Sequence, residues 1–218
     1  MSLPKIKYMS KFLSYLEVYP NLDILNQNYD LIYQEYKNNL NELEFRDFTA
    51  QQERFIDNRG EGYPIGYSSY FSAEKRDQTK YGWHLAPLFA ERTEVDFNTR
   101  VLPTLTKVLL QVGLTDACAI NALDPGQSLD WHVDKDYIPG VQLLRIIWGL
   151  DIDPNDSKDS FIQIVDESGN IETQKFENKK FYIFHPMSKH RVENNMSSCR
   201  SVLCIDYITD TEYTQNFL

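Results

Sequence analysis

A histidine and an aspartate separated by one residue are the first side chains in this chain that could share a chemical task. His132 and Asp134 form the H-x-D of the segment SLDWHVDKD. In an extended strand, residues i and i+2 project from the same face, so we expect one strand to present the imidazole and the carboxylate together, with Val133 on the other face. An H-x-D motif is common by chance, and its meaning depends on further ligands.

A third ligand has to come from a distant segment. FYIFHPMSKHRVEN offers His185 and His190. We expect His190 to be the ligand, because His185 lies five residues earlier, where strand alternation places it on the other face. Two neutral imidazoles and one carboxylate on one face of an octahedral ion leave three adjacent positions open. The sequence therefore predicts an iron(II) centre whose catalytic ligands are His132, Asp134 and His190.

An arginine follows this histidine after a short interval. Arg200 comes ten residues after His190, at the head of RSVLCIDYI. A 2-oxo acid can chelate the metal through its carboxylate and keto oxygen, with dioxygen on the last open position, while the protein orients these groups. A guanidinium pairs a distal carboxylate through two parallel hydrogen bonds, which a lysine cannot reproduce. Arg200 therefore predicts 2-oxoglutarate as the co-substrate.

A second arginine interrupts a run that is otherwise apolar. Arg145 lies inside VQLLRIIWGL. A buried arginine without an anionic partner is costly, so we expect Arg145 to contact a ligand. The alternatives of an ion pair within the protein and of a surface position remain open.

The elements that must position these residues are short strands. From residue 117 to residue 208, runs rich in Val, Ile, Leu, Phe and Tyr alternate with turn signals such as Pro125-Gly126 and Pro139-Gly140. The runs are ACAINAL, SLDWHVD, VQLLRIIWGLDI, SFIQIVD, IETQKF, KFYIF, HRVEN and RSVLCIDYI. About eight strands suit a two-sheet jelly roll. We therefore expect a mainly β fold, a double-stranded β-helix of the cupin-like kind with supporting N-terminal α-helices.

The first half of the chain predicts helices. Apolar residues at spacings of three and four predict an amphipathic helix at about residues 22 to 40. A second stripe runs from Phe97 to Val112, with Gly113 as a left-handed C-terminal cap. We expect Asn98 or Thr99 to cap its start, or the regular helix to begin at the following proline.

The sequence also predicts a long loop and a single domain. Residues 60–82 are rich in Gly, Tyr and Ser with little periodicity, and form either a lid over the site or a passive connection. We expect residues 1–218 to form one domain. In it, residues 1–115 supply a helical and loop support layer with the first strands, and residues 116–208 form the double-stranded β-helix core.

Composition narrows the classes of partner and compartment. A net charge of −10 argues against nucleic acid as the substrate, because phosphate binding needs a basic surface. No stretch approaches the roughly 18 apolar residues of a membrane span, and lysines interrupt the N-terminal segment where a secretory signal would be apolar. A cytoplasmic protein without a membrane partner is expected. The cysteines predict buried reduced thiols, not a disulfide or a zinc site; they are Cys118, Cys199 and Cys204.

With these residues assembled, the chain resembles the aspartyl/asparaginyl β-hydroxylase-like branch of the 2-oxoglutarate oxygenases, a branch that includes bacterial hydroxylases of free proline. The resemblance covers about residues 20 to 208. It lies in four segments that occur in order: LPTLTKVLLQV, NALDPGQSLDWH, LLRIIWGL and HRVENNMSSCRSVLCIDY.

The resemblance assigns roles to individual residues. It implies that His132 and His190 bind iron and that Arg200 grips the distal carboxylate of 2-oxoglutarate. It further implies that Arg145 contacts the co-substrate or the substrate carboxylate, and it places Asn121 where the family often has a co-substrate-binding serine. These five positions are the family-based expectations for the site.

One departure from the family concerns the metal ligands. The best-known member has no carboxylate after its first histidine, whereas this chain supplies Asp134, which completes the triad of ordinary 2-oxoglutarate oxygenases. The implied reaction is hydroxylation of an unactivated C–H bond, with O2, coupled to decarboxylation of 2-oxoglutarate. By analogy alone, the substrate is an amino acid or a peptide side chain, for example aspartyl, asparaginyl or prolyl.

Two alternatives use the same three ligands. One is a cupin-like hydrolase or isomerase that depends on zinc or manganese. The other is a metal-binding module without turnover. Arg200 argues against the first alternative, and the intact ligand set argues against the second.

Overall fold

The computed structural model describes residues 11–47, 82–90, 92–134, 143–156 and 158–208. The loop predicted over residues 60–82 lies, apart from Gly82, outside the described residues. The helices are α1 (Tyr15–Val18), α2 (Asp23–Gln27), α3 (Tyr29–Asn39), α4 (Asp96–Thr99) and α5 (Pro103–Val112). The strands are β1 (Arg46–Asp47), β2 (Trp83–Ala90), β3 (Thr93–Glu94), β4 (Ala117–Leu123), β5 (Ser128–His132), β6 (Leu143–Asp151), β7 (Ser160–Val165), β8 (Ile171–Lys175), β9 (Phe181–Phe184), β10 (His190–Asn194) and β11 (Arg200–Ile208).

Two antiparallel sheets carry the fold within the described residues. The larger has the spatial order β1-β2-β4-β11-β6-β9, with β3 also paired to β2. The smaller has the order β5-β10-β7-β8. Between β4 and β11 the chain passes repeatedly from one sheet to the other, which is the winding of a double-stranded β-helix, or jelly roll. The predicted fold class is confirmed.

The sequence patterns of the strands follow from which faces are buried. Strand β6 reads as an almost continuous apolar run, because Ile146 and Trp148 pack towards the helices while Ile147 packs between the sheets. Strand β10 instead alternates buried and half-buried residues, because one face of the smaller sheet meets solvent. A charged residue on the inner side of either sheet therefore lies away from water.

The helix predicted over residues 22–40 is confirmed with one interruption. A 3-10 turn over Pro20–Leu22 leads into α2, and α3 follows after Asn28. The Asn28 side chain donates a hydrogen bond to the carbonyl oxygen of Ile24 at 2.8 Å, within the turn where the two helices meet. The buried stripe of the pair packs on the larger sheet.

The second predicted helix begins at a proline and ends at a glycine. α5 starts at Pro103, where the missing N–H does no harm, and stops at Gly113, whose φ of 82° suits a residue without Cβ. The expectation that Asn98 or Thr99 caps it was wrong. Asn98 belongs to the separate helix α4, and its side-chain amide donates to the carbonyl oxygen of Pro87 at 2.9 Å.

A glutamate from α3 provides the N-terminal cap of α5. The backbone N–H groups of Thr104 and Leu105 donate to Glu35 Oε1 and Oε2 at 2.8 and 3.0 Å. The first amides of a helix have no intrahelical acceptor, and the helix dipole favours a negative charge there. Glu35 therefore joins two helices that cover the same face of the sheet.

Two composition-based expectations can be compared with this part of the chain. None of its helices combines the length and the apolar character needed to cross a membrane. The three cysteines form no disulfide, and Cys118 is buried as expected, but Cys199 is exposed and Cys204 is half-buried. The expectation of three buried thiols was therefore wrong for Cys199, which directly precedes β11.

Replacing Glu35 with glutamine is expected to lower the free energy of unfolding by about 1 kcal/mol, because one cap bond and the charge at the helix N-terminus are lost. Chemical denaturation of the purified protein measures this. Glu167→Gln, in the exposed turn between β7 and β8, is the matched control and should leave the stability unchanged. Equal stabilities of the two variants would contradict the assigned cap.

Candidate metal centre

Two histidines face each other across the pairing of β5 with β10. His132, at the end of β5, lies opposite His190, at the start of β10, while Leu129 lies opposite Val192. Between these two pairs β5 has one residue more than β10, which is a β-bulge. Residues three apart on a regular strand face opposite sides, but the bulge lets both Leu129 and His132 face the interior. The imidazole ring centroids of the two histidines are 4.2 Å apart.

Asp134 is placed by a loop and not by a strand. Strand β5 ends at His132, so the expectation that one strand presents both ligands was wrong in this detail. The backbone N–H of Asp134 donates to the carbonyl oxygen of Pro186 at 3.2 Å. Val133 points outwards and is 47% exposed. The carboxylate nevertheless reaches the two imidazoles.

The three side chains form a cluster with the spacing of a metal site. Asp134 Oδ1 is 3.6 Å from His132 Nε2, and Asp134 Oδ2 is 3.9 Å from His190 Nε2. One potential ligand atom from each residue lies within 4.8 Å of the others. Two ligands at about 2.1 Å from an ion and at right angles to each other are roughly 3 Å apart, so a small contraction would bring this set onto one ion.

Backbone carbonyls determine which ring nitrogen each histidine offers. His132 Nδ1 lies 2.6 Å from the carbonyl oxygen of Asp130, and His190 Nδ1 lies 2.8 Å from that of Ser188. A carbonyl oxygen only accepts, so each Nδ1 carries the proton and donates. Each Nε2 then has a free lone pair directed at the cluster, which is the usual arrangement of metal-binding histidines.

Burial and charge determine the protonation states of His190 and Asp134. Burial lowers the pKa of His190 to about 4, although the neighbouring Asp134 acts in the opposite direction. Burial would raise the pKa of Asp134, but the charges of Arg145, His190 and His132 outweigh it and hold that pKa below its ordinary value. At neutral pH the cluster therefore contains a neutral His190 and an ionised carboxylate.

Arg200 is a buried cation without a carboxylate partner among the described residues. It is 3% exposed, its guanidinium lies 4.4 Å from the ring centroid of Phe176, and its Nε has no hydrogen-bond partner. Burial lowers the pKa of Arg200 to about 10, so it remains charged at neutral pH. Alternation along β11 places Arg200, Cys204 and Asp206 on the same inner face.

Asn121 lies on the same inner surface as Arg200. It is on β4, in register with Val202 of β11, whose side chain packs between the sheets. The Oδ1 atom of Asn121 is buried and has no hydrogen-bond partner. Buried polar atoms without partners are rare, and they are often sites where a ligand supplies the missing bond.

Arg145 is held by two carboxylates of the protein. It lies opposite Asp206 in the pairing of β6 with β11. Its Nε donates to Asp206 Oδ1 at 2.8 Å and its Nη2 to Asp206 Oδ2 at 2.9 Å, while its Nη1 donates to Asp134 Oδ2. The ion pair considered as an alternative is thus present, and a contact of Arg145 with a co-substrate remains a prediction.

Asp206 is the functional neighbour that sequence reasoning missed. It is a lone carboxylate in the apolar strand RSVLCIDYI, as Arg145 is a lone cation in the apolar strand VQLLRIIWGL. Two opposite charges in apolar strands are a signal that the strands are neighbours, because each charge needs the other. That signal was available in the sequence.

The chain matches the model of a known protein family. The family model described as aspartyl/asparaginyl β-hydroxylase matches residues 26–210. No curated protein matches the chain.

Several solved structures match part of the chain. Peruvianin-I, a cysteine peptidase from Thevetia peruviana latex, is 8% identical, with a TM-score of 0.37 over 61% of this chain and 65% of that one. A cupin protein from Bacteroides fragilis is 20% identical, with a TM-score of 0.31 over 44% and 67%. A structure of oxalate oxidase is 9% identical, with a TM-score of 0.37 over 71% and 64%. This chain thus spans about two thirds of these proteins.

The lowered pKa of His190 predicts how the metal-free protein responds to acid. Between pH 6.5 and about 4 the unfolded chain binds a proton at this histidine and the folded chain does not, so the free energy of unfolding decreases as the pH falls. The decrease is on the order of 3 kcal/mol over this window. Denaturation in the presence of a chelator, for wild type and for His190→Gln, measures it. An equally steep pH dependence in both proteins would contradict the prediction.

Proposed function

The chain belongs to the aspartyl/asparaginyl β-hydroxylase family, and on this premise we propose that it is an Fe(II)- and 2-oxoglutarate-dependent dioxygenase. It hydroxylates an unactivated C–H bond of an amino acid or of a peptide side chain, for example aspartyl, asparaginyl or prolyl. His132, Asp134 and His190 hold the iron. When bound, the iron with 2-oxoglutarate and O2 supplies the oxidising power for the reaction, and succinate and carbon dioxide are the co-products.

The observation that carries this proposal is the buried, unpaired charge of Arg200. Moving a guanidinium out of water is unfavourable by several kcal/mol unless an anion compensates it. No carboxylate of the described residues does so, and the guanidinium geometry matches a carboxylate through two hydrogen bonds. A dicarboxylate with one end on the metal and the other at Arg200 would provide the missing anion.

Arg200 and the metal cluster are connected by one face of β11. Alternation along this strand places Arg200, Cys204 and Asp206 on the inner face, and Asp206 pairs with Arg145, which also donates to Asp134. A ligand that reaches from the cluster to Arg200 would therefore pass over this part of β11. Asn121, on the neighbouring strand, brings an amide with donors and an acceptor to the same surface.

The competing functions make no use of this arginine. A zinc- or manganese-dependent hydrolase or isomerase on the same three ligands needs a metal-bound water or substrate but no buried cation at a distance from the metal. A metal-binding module without turnover needs neither. Binding of 2-oxoglutarate to the metal-loaded protein separates the oxygenase from both.

Arg200→Lys is expected to weaken 2-oxoglutarate binding at least tenfold, because the loss of one charge-assisted hydrogen bond costs about 1.5–3 kcal/mol. Calorimetry on the Mn(II)-loaded protein under nitrogen measures it. Metal affinity should not change. Arg100→Lys, an exposed arginine in a loose pair with Asp96, is the matched control. Unaltered 2-oxoglutarate affinity in Arg200→Lys would remove the main support for the proposal.

The metal assignment predicts a separate result in turnover. Wild-type protein with Fe(II), 2-oxoglutarate and a panel of amino acids and peptides should form succinate, and an accepted substrate should stimulate it. His132→Ala and Asp134→Ala, with circular dichroism spectra like wild type, should form no more succinate than a reaction without protein. Wild-type turnover rates in either variant would show that these residues do not hold the catalytic metal.

A further inference from the structure

Arg145 connects a buried carboxylate to a metal-ligand candidate. Its bidentate pair with Asp206 uses Nε and Nη2, and the remaining terminal nitrogen, Nη1, donates to Asp134 Oδ2. The side chain of Arg145 is 14% exposed and that of Asp206 is 4% exposed. Asp206, Arg145 and Asp134 therefore form a buried series of ion pairs that ends at the metal cluster.

Asp134 has few other restraints, so its contact with Arg145 matters for its orientation. Because β5 ends at His132, the ladder of the sheet does not restrain the aspartate, whose backbone N–H is held by a single 3.2 Å bond to the carbonyl oxygen of Pro186. The carboxylate must nevertheless hold one orientation to complete a three-ligand site. Arg145 engages Oδ2, and Oδ1 lies 3.6 Å from His132 Nε2, on the side of the cluster.

The anchoring of Arg145 comes from the sheet itself. Register places Arg145 directly opposite Asp206 on adjacent, hydrogen-bonded strands, both with a neighbouring strand on each side in the larger sheet. A bidentate pair between neighbouring strands fixes the plane of the guanidinium. A co-substrate carboxylate that took over these donors would leave Asp206 buried without its cation, which is strongly unfavourable.

We propose that Arg145, fixed by Asp206, is the positioning residue that orients Asp134 for metal binding, and that it is not the co-substrate anchor. The proposal rests on the metal centre of the proposed function. It assigns the two arginines of the interior to different tasks: Arg145 acts on the metal through Asp134, and Arg200 acts on the co-substrate.

The test compares metal affinity with co-substrate affinity in the same variants. Mn(II) is titrated into chelator-treated protein by calorimetry, and 2-oxoglutarate is then titrated at saturating Mn(II). Arg145→Lys and Asp206→Asn should bind Mn(II) about 10- to 100-fold more weakly, which is the usual effect of removing a group that orients a metal ligand. Their affinity for 2-oxoglutarate, once loaded, should equal that of wild type. Co(II) spectra of the variants should also show an altered ligand set.

Arg191→Lys is the matched control for Arg145→Lys. Arg191 follows the ligand His190 directly, and its Nη1 is 2.7 Å from Glu193 Oε1, but it is on the outer face of β10. This variant should bind Mn(II) as wild type does. If Asp206→Asn does not fold, as judged by circular dichroism, Arg145→Lys alone decides the test.

Two results would overturn the proposal. One is wild-type Mn(II) affinity in folded Arg145→Lys. The other is weakened 2-oxoglutarate binding with intact metal affinity, which would make Arg145 the co-substrate anchor. A failure of the proposed function looks different: wild type then binds Mn(II) but neither binds 2-oxoglutarate nor forms succinate, and the positioning role is still decided by the metal affinities.

Discussion

Charged side chains that project between two apolar sheets are the constraint around which this site is organised. Water cannot solvate them there, so each must meet an opposite charge, a polar contact or a ligand. Arg145 meets Asp206 and Asp134, whereas Arg200 meets the face of Phe176 and no carboxylate of the described residues. This difference is what distinguishes a structural ion pair from a site that needs an anion.

The jelly roll satisfies this constraint by strand register. Pairing of β6 with β11 puts Arg145 opposite Asp206, and the bulged pairing of β5 with β10 puts His132 opposite His190. The two pairings belong to different sheets. Asp134 lies in the loop that follows β5, where it contacts Arg145 of the larger sheet and lies beside the two histidines of the smaller sheet. A slip of one residue in either pairing would turn one partner to the opposite face and separate them.

The sequence predicts the parts of this arrangement that depend on local periodicity. The helix from Pro103, the strand runs and the candidate residues all follow from spacing and side-chain type. It does not predict the bulge before His132, because that depends on the register with another strand, or the cap of α5 by Glu35, because that glutamate lies 68 residues before the proline that starts the helix. Asp206, the partner of Arg145, is an intermediate case. The sequence shows a lone aspartate in an apolar strand, but it does not show which strand lies beside it.

The charges of the interior also affect how the proposed metal and co-substrate influence each other's binding. Among the described residues that line it, Arg145 and Arg200 carry two positive charges and Asp134 and Asp206 two negative ones, while His190 is neutral at pH 7. These four charges of the described residues balance each other, and a divalent cation added alone would place two further positive charges beside them in a medium of low dielectric constant. A dicarboxylate supplies two negative charges, one of them next to Arg200. Metal and 2-oxoglutarate should therefore strengthen each other's binding, and by linkage the effect must be equal in both directions.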